Sequence, residues 1–202
     1  ASTYTPLGVE LMATGENAGT WGTKTNTNLN IIEQISGGYK VQTLNAAGAG
    51  ANTTALTEAD GATGATVATR IIVLGAESPQ TISGNKIVTF PVGVENFYLI
   101  KNSTSGANTV QLKAASGSGA TVTWSATEKS WKLVYFDGVA TNTGVYEIAL
   151  ASPPGGSNTE VQFNNSGSFG GSENLAWDGS NLQIGDQGDL RLGDADNSNY
   201  IA

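Results

Sequence analysis

The chain has 202 residues with a net charge of −8, and it contains 27 glycines but no cysteine and no histidine. Without those two residue types it cannot build Ser-His-Asp or Cys-His catalysis, lacks the best zinc and copper ligands, and forms no disulfide. The acidic balance argues against a nucleic-acid partner held through its phosphates. No apolar run approaches the ~20 residues that cross a bilayer, so we expect no membrane insertion.

Residues 1–38 are predicted to form an N-terminal arm with one short helix. Its apolar residues recur at helical spacing, from a cap at Thr25 or Asn26 to a stop at Gly37. A helix of about three turns is marginal alone in water, so its apolar side chains must pack on something. Either they pack on the chain's own β domain, or the arm docks on another subunit of an assembly. In the second case the partner-binding residues are Trp21, Leu29, Ile31, Ile32 and Ile35.

Residues 39–150 are predicted to form the β-sandwich around which the chain is organised. Short stretches rich in β-branched and aromatic residues alternate with turn clusters about every ten residues, which is typical of sandwiches and barrels. The predicted strands are 39–44, 65–74, 88–90, 97–100, 110–112, 120–124, 131–135 and 145–148, with a loop at 45–60. The fold class expected is mainly β, an antiparallel, jelly-roll-like β-sandwich, with the helical arm before it and a C-terminal β stalk after it.

Residues 151–157, Ala-Ser-Pro-Pro-Gly-Gly-Ser, are a linker by composition. Residues 158–202 beyond it carry seven acidic residues and one basic residue, whereas residues 1–157 carry ten and eight. The apolar side chains of this acidic segment are too few to offset an ordering cost of ~1.5 kcal/mol per residue, so we expect that it cannot fold as a monomer. Its predicted strands are 160–163, 175–177, 182–184, 190–192 and 200–201. Because it ends on such a strand-like stretch, the natural chain is expected to continue. The apolar residues concerned are Phe163, Phe169, Trp177, Leu182, Ile184, Leu190, Leu192 and Ile201.

Three stretches resemble a known class of protein. Between residues 54 and 140, the motifs Leu56-Thr57-x-Ala59-Asp60-Gly61-Ala62, Tyr98-Leu99-Ile100-Lys101-Asn102-Ser103-Thr104-Ser105-Gly106-Ala107 and Tyr135-x-Asp137-Gly138 resemble a β module of tailed-bacteriophage tail fibres and related virion proteins. Residues 162–172, QFN-x-x-G-x-FGGS, resemble the stretch that opens fibre shafts in the same proteins. Residues 15–34, with Thr20-Trp21-Gly22, resemble the start of fibre proteins from marine phages, including cyanophages.

The resemblance implies a structural protein of the virion, without enzymatic activity or cofactor. Residues 1–38 would attach the fibre to another tail protein, such as an adaptor, nozzle or baseplate protein. Residues 158–202 would begin a homotrimeric shaft, and a distal region outside this chain would bind a host surface glycan or protein. Two other classes stay open, namely a capsid decoration or neck protein and a carbohydrate-binding or hydrolytic module.

Two groups of residues are of types that could carry chemistry. The four aspartates between 186 and 196 lack the glycine and the closing glutamate of an EF-hand, so we expect solvated turn residues rather than a metal site. Trp124 and Trp131 could stack on sugars if they were exposed. On strand spacing, Trp131 and Tyr135 are expected to be core residues instead. We therefore assign no catalytic residue and no metal ligand.

Overall fold

The computed structural model describes residues 1–45, 50–150 and 154–185. The chain divides into two compact units, residues 1–148 and residues 149–202. As predicted, the fold is mainly β, and the described residues contain one helix.

The N-terminal unit begins with two short strands and the helix. Strands β1 (Thr3–Tyr4) and β2 (Glu10–Leu11) pair antiparallel, and helix α1 (Trp21–Gly37) follows. The helix ends where predicted but begins before the predicted cap, because the amide of Lys24 already donates to the Thr20 carbonyl at 3.1 Å. Nine strands follow: β3 (Tyr39–Gln42), β4 (Asn52–Ala55), β5 (Ile71–Thr81), β6 (Lys86–Phe90), β7 (Glu95–Ser105), β8 (Val110–Ala114), β9 (Val122–Trp124), β10 (Trp131–Asp137) and β11 (Val145–Glu147).

These nine strands form two sheets. One has the order β11-β10-β7-β5-β3 and the other the order β4-β6-β8-β9. The prediction of antiparallel pairing is wrong for β3–β5, β5–β7, β4–β6 and β6–β8, which are parallel. From β3 to β8 the chain alternates between the two sheets. Each of these strands therefore pairs in parallel with the strand two places later in the chain. Only the later pairs β8–β9, β7–β10 and β10–β11 are antiparallel.

One hydrophobic cluster joins the inner faces of the two sheets. Trp124 and Phe90 of the four-stranded sheet and Tyr98 and Phe136 of the five-stranded sheet are all fully buried in it. The Tyr98 hydroxyl donates to the carbonyl of Val67 at 2.8 Å, and burial raises the pKa of this phenol. A buried donor therefore has its acceptor, as an apolar core requires.

Two predicted boundaries near the start of this unit are wrong. The stretch predicted as a loop, 45–60, contains β4, whose four residues pair in parallel with β6. The stretch predicted as a strand, 65–74, is extended only from Ile71. Its first half forms turns instead, because the Thr66 amide donates to the Thr57 hydroxyl at 3.0 Å and the Thr69 hydroxyl donates back to the Thr66 carbonyl at 2.7 Å.

In the C-terminal unit, the structure describes residues 154–185. Two antiparallel pairs lie there, formed by β12 (Phe163–Asn165) with β13 (Ser168–Gly170) and by β14 (Leu175–Trp177) with β15 (Leu182–Ile184). The strands predicted at 175–177 and 182–184 are confirmed, whereas the one predicted at 160–163 lies slightly later in the chain. Leu190, Leu192, Ile201 and the four aspartates between 186 and 196 lie outside the described residues.

Candidate assembly interface

Helix α1 is fixed to its own unit along one side. Ile31 is fully buried against Ala65 and Ala68, and Ile35 is partly buried in the same cluster. This cluster is separate from the core between the two sheets. For Ile31 and Ile35, therefore, the packing surface is the chain itself.

A polar contact fixes the first half of the helix. The Glu10 carboxylate, only 5% exposed, lies 3.0 Å from the Lys24 ammonium and raises the pKa of that lysine. Asn28 pairs with the backbone of Glu10, accepting from its amide and donating to its carbonyl, each at 2.9 Å. Such bidentate contacts set the orientation of the helix and so determine which of its residues stay outside.

The outward side of α1 carries three large apolar residues. Trp21 is 63% exposed, Leu29 57% and Ile32 47%. Ile32 lies eleven residues, about three turns, after Trp21 and therefore on the same side of the helix. Leu29 lies next to Ile32 on that side, one turn earlier. We call these three residues the helix face. The sequence singled out five apolar residues of the arm, and the structure separates the three outward ones from Ile31 and Ile35.

The five-stranded sheet also presents an apolar surface on its outer side. The strand register brings Tyr39, Ile71, Leu99 and Leu133 side by side, and the amide of Ile148 bonds to the Leu133 carbonyl at 2.8 Å. One apolar residue from each of the five strands thus lies in a single row. For β11 this residue is Ile148, which directly follows the strand. None of the five belongs to the core shared by the two sheets. We call this surface the outer sheet face.

Aromatic residues extend the outer sheet face on both sides of that row. Trp131 is 45% exposed, so the prediction that it is a core residue is wrong, whereas Trp124 is 0% exposed and lies in the core. Tyr135, which was also predicted to be a core residue, is only partly buried and lies outside the core cluster. It pairs with Phe97 on one side and with Tyr146 on the other. Adjacent residues of a strand point to opposite faces, and period-two spacing alone cannot tell which face is inside.

Two cations lie over rings of this face. The Arg70 guanidinium lies 3.8 Å from the centre of the Phe97 ring, and the Lys101 ammonium lies 5.7 Å from that of Trp131. Arg70 is held there by hydrogen bonds to the Asn96 side chain, at 2.8 Å, and to the Phe97 carbonyl. A cation over a ring occupies the surface on which a sugar would stack. The Phe97 ring, at least, is covered in this way by Arg70.

In the C-terminal unit, every described apolar residue predicted for the shaft is exposed. Phe163, Phe169, Trp177, Leu182 and Ile184 are 36–60% exposed. Not one residue from 154 to 185 is buried, so this stretch has no core within the single chain. Its hairpins are held by backbone pairing and by polar contacts such as that of Asp178, whose carboxylate accepts from the amides of Ser180 and Asn181 at 2.8 and 2.7 Å.

The described ranges contain no group of three or more Asp or Glu side chains that could hold a metal ion. In the same residues, α1 lacks the length and apolar character that crossing a membrane requires of a helix. No protein-family model matches the chain, and no curated protein or solved structure matches it either.

Proposed function

We propose that the protein is a structural component of a phage virion, the N-terminal part of a tail fibre. In this proposal residues 1–38 attach the fibre to another tail protein, and residues 158–202 begin a shaft shared by three copies. A region distal to this chain then contacts the host surface. The protein has no enzymatic role and needs no cofactor.

The observation that carries the proposal is the lack of any buried residue between 154 and 185. Each large apolar side chain that becomes buried contributes ~1.5–3 kcal/mol, a gain that the single chain leaves unused at five positions here. Three copies around one axis would turn these side chains toward each other and would also give the short strand edges partners. The acidic residues would then lie outward, where salt screens their repulsion.

The helix face supports the attachment role of the arm. Trp21, Leu29 and Ile32 stay outside although the same helix buries Ile31. Large, contiguous apolar patches on soluble proteins mark interaction sites. A helix fixed on one side and apolar on the other suits docking into a groove of a second protein.

The outer sheet face favours a role in assembly over sugar binding by that surface. It is broad, built on regular strands, and part of its aromatic surface is already covered by Arg70 and Lys101. A capsid decoration protein would use such a face as well, but it would not require the exposed apolar residues of the C-terminal unit. A fibre uses both.

Electron cryomicroscopy of particles that carry the protein tests the proposal. We expect three copies around one axis on the tail, with the helix face against a different tail protein. Copies arranged in a lattice on the head would contradict it and favour the decoration protein.

A further inference from the structure

The outer sheet face carries opposite charges at its two ends. Every second residue of β7 points to this face, so Glu95 and Lys101 lie on it about 20 Å apart along the strand. The Glu95 carboxylate accepts a hydrogen bond from the Tyr135 hydroxyl at 3.1 Å, and the Lys101 ammonium lies over the Trp131 ring. Both charges are therefore on the same side of the sheet as the aromatic residues. We call the two ends the acidic end and the basic end.

Neither Glu95 nor Lys101 forms an ion pair with another described residue. At the acidic end Asp137 stands in register opposite Glu95, which adds a second carboxylate there. Arg70, the other cation of the face, is bound over the Phe97 ring instead. The outer sheet face thus has two positive and two negative charges, and the lysine is separated from both carboxylates by the apolar row.

Apart from these charges the outer sheet face is apolar and large enough for a stable contact. Tyr39, Phe97, Trp131 and Tyr146 are each about half exposed. Covering the exposed halves of four such rings removes roughly 300–500 Å² from water. The aliphatic residues of the central row add to this area, which approaches the ~800 Å² that each partner contributes to a standard protein interface. Enrichment in aromatic residues is typical of the centre of such an interface.

A second copy of the same chain has the surface that complements this face. The partner must present apolar side chains together with a carboxylate for Lys101 and a cation for Glu95, and the opposite end of the same face presents each of them. A contact between the opposite ends of one surface is heterologous, and it closes into a ring when the rotation between copies allows it. A ring of three agrees with the three chains proposed for the shaft. The shaft would also hold the three faces at a high local concentration.

We propose that the outer sheet face is the contact between the N-terminal units of neighbouring copies, with the basic end of each copy against the acidic end of the next. Lys101 then pairs with Glu95 of the next copy, and the apolar rows of the three copies face the common axis. This inference rests on the three-chain assembly proposed above and adds to it a second contact, outside the shaft.

Disulfide trapping in the full chain tests the proposal, because the protein has no cysteine of its own. In the variant Glu95→Cys, Lys101→Cys, the two cysteines of one chain are about 20 Å apart, too far for the ~4–7 Å between the Cα atoms of a disulfide. Mild oxidation should therefore link only neighbouring copies, and we expect covalent trimers on a non-reducing gel. Each single variant should stay unlinked, because neither position meets itself in a head-to-tail ring.

The possible outcomes separate this contact from the shaft. Sedimentation equilibrium of the same variant under reducing conditions measures its mass without links. Three times 20.6 kDa without covalent links after oxidation would overturn the sheet contact alone, and would leave this face to a different tail protein. A mass of one chain, again without links, would overturn both the sheet contact and the shaft. Covalent dimers of the single variants would mean that each end meets itself, and would overturn the head-to-tail ring.

Charge reversal tests the ion pair itself. Lys101→Glu would place like charges against each other, and we expect association, measured by sedimentation equilibrium on dilution, to weaken about tenfold or more. Glu95→Lys in the same chain should restore it. Lys113→Glu, which reverses a lysine of the other sheet, is the matched control and should leave association unchanged. Equal association of the Lys101→Glu variant and the double variant would overturn the pairing of Lys101 with Glu95.

Discussion

The rings of Phe90 and Phe136 stack with their centres 3.7 Å apart and their planes 18° from parallel. Phe90 belongs to the four-stranded sheet and Phe136 to the five-stranded sheet, so this contact joins the two. Tyr98 packs against the same Phe136 ring at 4.6 Å. The pair lies at the centre of the core that gives the N-terminal unit its stability.

Replacing Phe136 by alanine should therefore destabilise the protein by about 3–5 kcal/mol, since it leaves a cavity between the sheets. Phe97→Ala on the same sheet is the matched control. Its ring is half exposed, so the loss should be clearly smaller. Urea denaturation measures both, and equal losses would contradict the assignment of inner and outer faces.

Sequence reasoning succeeded where local pattern determines structure. The turn-rich composition predicted many short strands, and Gly37 marked the end of helix α1. Strand pairing could not be predicted in the same way, because parallel pairing of β5 with β7 depends on where the chain crosses between sheets. Nor could the inner and outer faces be assigned, since Trp124 and Trp131 both lie in stretches of strand-like alternation and yet have opposite burial.

The irregularity of β5 between Gly75 and Gln80 could not be predicted for a related reason. It becomes visible only when β5 is aligned with β7. The sequence offered one signal, a glycine and a proline, Gly75 and Pro79, close together in a stretch that otherwise continues as a strand. Such residues inside a strand suggest an irregularity, but not what surrounds it.

The helix face predicts a separation of attachment from folding. The double variant Leu29→Asp, Ile32→Asp should lose incorporation into particles while keeping the melting temperature of the parent chain, because both side chains are exposed. Ile31→Ala should have the opposite pattern: it should lower the free energy of unfolding by about 2–5 kcal/mol. It should not change incorporation of the folded protein into particles. Counting the protein in purified particles and measuring thermal unfolding checks both. Wild-type incorporation of the double variant would contradict the attachment role.

The outer sheet face predicts a second effect on assembly. Tyr39→Glu combined with Ile148→Glu alters the two ends of its apolar row, where both side chains are exposed. Each change should alter unfolding by no more than about 0.5 kcal/mol, yet together they should weaken association between chains or with a partner. Val139→Glu, at an exposed apolar residue after β10, is the control. Equal association of both variants, measured by light scattering, would exclude this face.

Acid should weaken the N-terminal unit through Asp137. Its carboxylate accepts hydrogen bonds from the amides of Val139, at 3.0 Å, and Gly144, at 2.9 Å, and these bonds lower the pKa of Asp137. The unfolded chain thus takes up this proton at a higher pH than the folded chain. The stabilisation is complete above the ordinary aspartate pKa of about 3.9 and is lost as the pH falls through the lower folded value. Asp137→Asn should flatten the acid limb of the stability curve, and an unchanged limb would contradict this role.

The central claim is that residues 158–202 begin a shaft made of three chains. Sedimentation equilibrium of the 202-residue chain measures this directly. The account predicts a mass of three times 20.6 kDa. It also predicts a lower mass for the Phe169→Asp, Trp177→Asp variant, in which two of the exposed apolar side chains become charged. A mass of 20.6 kDa for the unaltered chain, with circular dichroism showing the full β content of both units, would contradict it.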